Sequence, residues 1–172
     1  MAWLARLLGK DQMDKAAMAP LWRCVVALAR LPGWYSNGGV ADTIDGRFSM
    51  IALVQAAMLL RLERDGTLIE PAARLTECFV ADMEGQLREQ GIGDPALGKR
   101  MGKLIGALGG RTGALRAALA EAGDAALIEA VTRNLTFGAD ARPDLVAADL
   151  RLLVARLDQT PDDRLLAGGI AA

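Results

Sequence analysis

From Phe48 to Leu60 the chain carries no charge, and its apolar side chains fall on nearly every side of a helical projection. The run is long for a strand, and it stops at Arg61, short of the roughly 20 apolar residues that a bilayer-spanning helix needs. It therefore predicts a helix buried on all faces, around which the rest of the chain must pack. Asp42 and Thr43 offer side-chain oxygens to cap its start, and Asp65-Gly66 supplies the turn that ends it. Arg61, Glu63 and Arg64 mark its expected emergence into solvent.

The remaining segments read as helices as well. With 172 residues the chain is long enough for one well-buried core, and with 4% aromatics and abundant Ala and Leu it lacks the side chains that strands favour. The fold class expected is all-α, a single-domain bundle of about six to seven helices. A helical segment runs to about Arg30, and the Pro-, Gly- and Asn-rich stretch from Leu31 to Gly39 reads as a loop. From about Leu68 to Gln90, Ala72, Leu75, Phe79, Met83 and Leu87 form one apolar stripe, expected to pack antiparallel on the central helix. Gly91 ends that helix, and Asp94 and Pro95 suit the cap and first position of the next. There Leu97, Met101, Leu104, Ile105 and Leu108 form the expected buried stripe, opposite a basic face of Lys99, Arg100 and Lys103. Gly109-Gly110 is expected to break this helix, leaving shorter pieces at about Thr112–Ala122 and Asp124–Asn134 with Leu115, Leu119, Leu127, Ile128 and Val131 in the core. Thr136 to Pro143 reads as a linker, Asp144 to Asp158 as a last helix through Val146, Leu150, Leu153 and Leu157, and the tail beyond it as fraying. The organisation expected is an N-terminal amphipathic segment over 1–14, a helical domain over 15–137, and a C-terminal helix with a frayed tail over 138–172.

Several chemistries are excluded or weakened. Histidine is absent, which removes Ser-His-Asp and Cys-His catalysis, most zinc sites and histidine-ligated haem. Cys24 and Cys78 lie far apart with no CxxC, and read as small buried thiols of a reduced compartment. Lys and Arg total 20 against 21 Asp and Glu, so no global field draws the chain to nucleic acid. Gly93 to Arg100 follows the spacing of a phosphate-binding loop until Arg100 replaces the magnesium-binding Ser or Thr, and a helix precedes it where a strand is required. Asp42 and Asp45 with Arg47 could be cast as a catalytic pair, but carboxylates at a helix start more simply serve capping and the helix dipole. Lys99, Arg100, Lys103 and Arg111 read either as a solvated helix face or as a site for an acidic partner. Neither a metal nor a cofactor is expected. The N-terminus has neither signal-peptide logic nor an organelle-targeting extension, which suits a bacterial cytoplasmic protein. Trp3, Leu4, Leu7 and Leu8 share a helical face with Arg6 and Lys10 at its edge, a pattern that serves either packing on the domain or peripheral contact with the inner face of the membrane.

The stretch Gly39-Val-Ala-Asp42-Thr43-Ile-Asp45-Gly46-Arg47-Phe48, followed by Leu87-Arg88-Glu89-Gln-Gly91-Ile-Gly93-Asp94 and by Gly110-Arg111, resembles the ubiquinol–cytochrome c chaperone family. The preceding Ala29-Arg30-Leu-Pro32-Gly-Trp34-Tyr35 is similar to the family's Ala-Arg-x-Pro-x-aromatic-Tyr signature, so that the resemblance runs from about Leu21 to Leu135. It departs at Val54, where family members commonly carry histidine, at Leu108 and Gly109 in place of an aromatic pair, and at Leu115 in place of tyrosine.

What the resemblance implies is a non-enzymatic, all-helical assembly factor that receives cytochrome b for the ubiquinol–cytochrome c reductase complex. The family associations that come with it are a small helical partner protein and the ribosome. A helical adaptor for a different membrane-protein client is the alternative, and a small-molecule or haem-handling protein the more distant one. The candidate partner-binding residues are Trp34, Tyr35, Asp42, Asp45, Arg47, Phe48, Arg88, Glu89, Asp94, Lys99, Arg100, Lys103 and Arg111. Arg47, Arg88 and Arg111 are expected either to make architectural ion pairs or to line one groove with Trp34, Tyr35 and Phe48.

Overall fold

A computed structural model describes residues 17–89, 91 and 94–170 of the chain, without the side chains of 94–96. The amphipathic segment carrying Trp3, Leu4, Leu7 and Leu8 lies outside the described residues. The fold is all-α. In order, α1 covers 17–29, α2 Pro32–Ser36, α3 Ile44–Glu63, α4 Ile69–Glu89, α5 Asp94–Ala120, α6 Ala125–Asn134, α7 Pro143–Gln159 and α8 Asp162–Leu166. No helix among the described residues is long and apolar enough to cross a membrane.

The uncharged run is the central helix. Every residue of α3 from Ser49 to Leu59 is buried, and α3 touches α4, α5 and α7. Its start is fixed by Thr43, whose hydroxyl accepts from the Gly46 amide at 3.2 Å. Gly46 is required there by space: a Cβ would stand 1.8 Å from the Ala41 carbonyl oxygen. Gln55, wholly buried in the middle of α3, has neither amide atom hydrogen-bonded. The α4 stripe is buried as its spacing requires, and Phe79 meets Trp22 of α1 edge to face with ring centroids 6.2 Å apart.

Several expectations fail for identifiable reasons. Gly109-Gly110 does not break the helix: α5 runs unbroken from Asp94 to Ala120, because Leu97, Met101, Leu108, Thr112, Leu115 and Ala118 stay buried in one register across the glycines. Burial of that face outweighs a helix-propensity cost of about 1 kcal/mol per glycine. Ile105, placed in the buried stripe by its spacing, lies off its centre and is 47% exposed. The loop after Arg30 contains α2, nucleated by Pro32 in its first turn. The 136–143 stretch is pinned rather than a free linker. Val40 and Phe137 form an isolated antiparallel bridge, the Ala41 amide donates to Thr136 at 2.9 Å, and the Arg142 amide donates to Gly38 at 3.0 Å.

The tail to Ile170 does not fray. It forms α8, whose Leu165 is fully buried, and Arg61 holds it. Arg61 does not emerge into solvent: it is 5% exposed and donates through Nε to Leu157 O at 2.9 Å and through Nη2 to Thr160 O at 2.8 Å and to the Asp162 carboxylate. It thus adds charged donors at the end of α7, to Leu157 O, which also accepts from the Thr160 amide, and to Thr160 O. Cys24 and Cys78 are in no disulfide, and are half-buried rather than fully buried; burial pushes the Cys24 thiol pKa up.

Candidate functional site

The corner from α1 to the start of α3 carries most of the candidate residues, and local hydrogen bonding explains its shape. Trp34 Nε1 donates to Leu28 O at 2.7 Å and Tyr35 OH donates to Ala29 O at 2.8 Å, so both aromatics of α2 bond to carbonyls at the end of α1. Trp34 is consequently buried, Tyr35 is half-buried, and burial raises the pKa of its phenol. Asp42 and Arg47 form an exposed ion pair; the hydrogen bond from Arg47 holds the Asp42 carboxyl below the usual carboxylate range and raises the Arg47 guanidinium. Tyr35, Asp42 and Arg47 share a shallow recess with Arg30, Pro32 and Ser36.

The candidates do not converge on one groove. Arg88 pairs with Glu84 one turn back on α4, and Glu89 beside it is exposed. Arg111 is half-buried and donates from Nη2 to Asn134 O at 3.2 Å, closing the end of α6, while its Nε has no partner. Burial lowers the Arg111 pKa. Asp94 is the first residue of α5.

Two further concavities bear on the candidate residues. The larger, about 630 Å3, lies between the α1–α2 corner and α7 and is walled by Leu28, Leu31, Trp34, Leu152, Leu153 and Arg156. Leu31 and Leu152, which face it, are 46% and 63% exposed and flank one apolar groove. Of its walls only Trp34 is a sequence candidate. Leu152 carries a faint signal, since it stands off the α7 stripe of Val146, Leu150, Leu153 and Leu157. The smaller, about 280 Å3, gathers Asp45 and Phe48 of α3 with Arg100 and Lys103 of α5, beside Ile44, Leu87 and Leu104. Four candidates from α3 and α5, far apart in the sequence, do meet there.

The model of the ubiquinol-cytochrome C chaperone family matches residues 36–172. The chain belongs to that family. A crystal structure of the Cbp3 homolog from Brucella abortus has the same fold, with a TM-score of 0.79 and 32% identity over 99% of this chain and 94% of that one. No curated protein matches. The family match extends through α7 and α8, past the Leu135 limit of the sequence motifs, and so takes in the α7 wall of the larger groove. The positions at which the motifs depart from the family pattern are internal in three cases: Val54, Leu108 and Leu115 are buried, whereas Gly109 is exposed with open space at its Cβ direction. In this chain Val54, Leu108 and Leu115 therefore serve core packing.

Proposed function

We propose that this protein is a non-catalytic chaperone that holds cytochrome b during assembly of the ubiquinol–cytochrome c reductase complex, and that the groove between α2 and α7 receives an apolar segment of that client. The observation that carries the reading is membership of the chaperone family, matched over residues 36–172. The groove supports it physically. Its exposed leucines and apolar floor suit a membrane-protein segment that must be kept from aggregation before insertion into its complex, since apolar contact is strong and indifferent to sequence detail. Arg156, Asp149 and Gln159 on the rim supply polar groups for the ends of such a segment.

Deleting the protein is expected to lower cytochrome b and the assembled complex while other membrane complexes stay near normal. A photoreactive residue at Leu152, which is open where Trp34 is buried, is expected to capture cytochrome b, and Leu152→Glu to abolish capture with an unchanged melting temperature. Unaltered cytochrome b in the deletion strain refutes the client; capture unaffected by Leu152→Glu refutes the groove.

A further inference from the structure

The smaller concavity has no part in that reading, and its composition points to a ligand of its own. Ile44 opens the central helix yet is 65% exposed, and with Phe48 one turn later it forms an apolar wall that Leu87 and Leu104 continue. Nothing in the start of α3 calls for an apolar side chain at 44, because Thr43 caps the helix and Gly46 admits the Ala41 carbonyl. On the α5 side stand Arg100 and Lys103, with Lys99 beside them, all three exposed. Among the described residues none of the three is ion-paired, whereas Arg47, Arg61, Arg64, Arg116, Arg142 and Arg151 each hold a carboxylate. Lys99 and Lys103 are one helical turn apart, a like-charge spacing that weakens an isolated helix. The cluster thus presents positive charge that no carboxylate of the described residues pairs with, and an anion can take that place.

We infer that this concavity, formed by Ile44, Phe48, Leu87 and Leu104 under Arg100 and Lys103, docks a short amphipathic helix of a partner protein bearing acidic residues along one edge of its apolar face. The choice of a helix follows from the dimensions and the charges. Ile44 and Phe48 are spaced i, i+4, and the facing wall spans one turn from Arg100 to Leu104, which suits two apolar side chains one turn apart. Arg100 and Lys103, at i, i+3, match carboxylates at the same spacing. Asp45 stands among the same lining residues, so the site offers both signs of charge. A flat anionic lipid surface would set its phosphates against that carboxylate, while a helix can present a donor to it.

The test uses the full chain and two labelled 16-residue helical peptides that share two leucines one turn apart, one flanked by glutamates and the other by lysines, together with vesicles of phosphatidylcholine containing phosphatidylglycerol. Anisotropy is expected to show the acidic peptide bound at least roughly tenfold more tightly than the basic one, with affinity falling as salt rises. The double variant Arg100→Glu/Lys103→Glu is expected to reverse that preference, and Ile44→Ser to weaken the acidic peptide, both with unchanged melting because all three side chains are exposed. Leu152→Glu is expected to leave peptide binding intact, which separates this site from the client groove. Equal binding of the two peptides, indifference to the charge reversal, or charge-dependent binding of vesicles without binding of the acidic peptide overturns the inference.

Discussion

Replacing Arg61 with alanine is expected to cost about 3 kcal/mol and to release the C-terminal tail before the rest of the domain unfolds. The side chain is 4% exposed and donates to Leu157 O, Thr160 O and the Asp162 carboxylate. A hydrogen bond to a charged group is worth roughly 1.5–3 kcal/mol, and removing one partner of a buried charged network costs about 3–5 kcal/mol. The lower end applies because Asp162, 47% exposed, regains water as soon as the guanidinium is gone. Tail opening also limits the loss: hydrating the α7 carbonyls by lifting α8 sacrifices chiefly the burial of Leu165, about 1.5–3 kcal/mol. Urea denaturation measures the total, and hydrogen exchange at the amides of Leu165, Ala167 and Gly168, which bond to Pro161, Asp163 and Leu165, reports the tail. Arg61→Met retains the apolar stem without the donors and is expected to behave like alanine in exchange while losing less in urea. Arg61→Lys cannot span three acceptors and is expected to fall between Met and wild type. If Arg61→Met matches wild type within about 0.5 kcal/mol with full protection of the tail, the hydrogen-bond argument is wrong and packing of the stem is what holds α8.

Gly46→Ala must displace the Ala41 carbonyl from a position 1.8 Å from the new Cβ, so a loss of about 2–3 kcal/mol in urea denaturation is expected. Gln55→Leu removes a buried amide that has no hydrogen-bond partner and is expected to stabilise the domain by about 1–2 kcal/mol, read as a higher urea midpoint at constant slope. The carboxyls of Asp42, Asp65 and Asp144 are held below their usual range first by hydrogen bonds from Arg47, Arg64 and Arg142. As pH falls the unfolded chain takes up those protons first, so the stabilisation is complete above the ordinary carboxylate range and drains away below about pH 4. The urea midpoint is expected to drop there, and less steeply in Asp42→Asn.

Helix type was legible wherever one physical cause dominated. The uncharged run at 48–60 has one solution in water, and the α4 and α7 stripes place Phe79, Met83, Leu150 and Leu157 in the core through spacing alone. What escaped the sequence depends on partners distant along the chain. Arg61 reads as a solvent marker because its acceptors lie 96 to 101 residues away. Gly109-Gly110 reads as a break because local propensity contains no term for the buried face of α5. The larger groove joins Leu31 to Leu152, and apart from the position of Leu152 off the α7 stripe neither segment signals it. The smaller one was half legible: the basic face of Lys99, Arg100 and Lys103 stands out in the sequence, but not its position beside Ile44 and Phe48.

This division separates the residues that build the surface from those that offer contact. Trp34 and Tyr35 close α1, Thr43 and Gly46 set the start of α3, and Arg47 engages Asp42. These are the motif residues, and most of their polar groups are already spent inside the corner. The open apolar side chains, Leu31, Leu152 and Ile44, are exposed outside those hydrogen-bonding roles. Trp34→Ala therefore leaves a buried cavity and removes the indole donor to Leu28 O, at a cost of about 3–5 kcal/mol, and any loss of client capture should track the fall in melting temperature. Leu152→Glu should lose capture with no such fall. If instead Trp34→Ala melts like wild type and still fails to capture cytochrome b, the indole itself makes the contact, and the family signature marks a binding face rather than the frame beneath one.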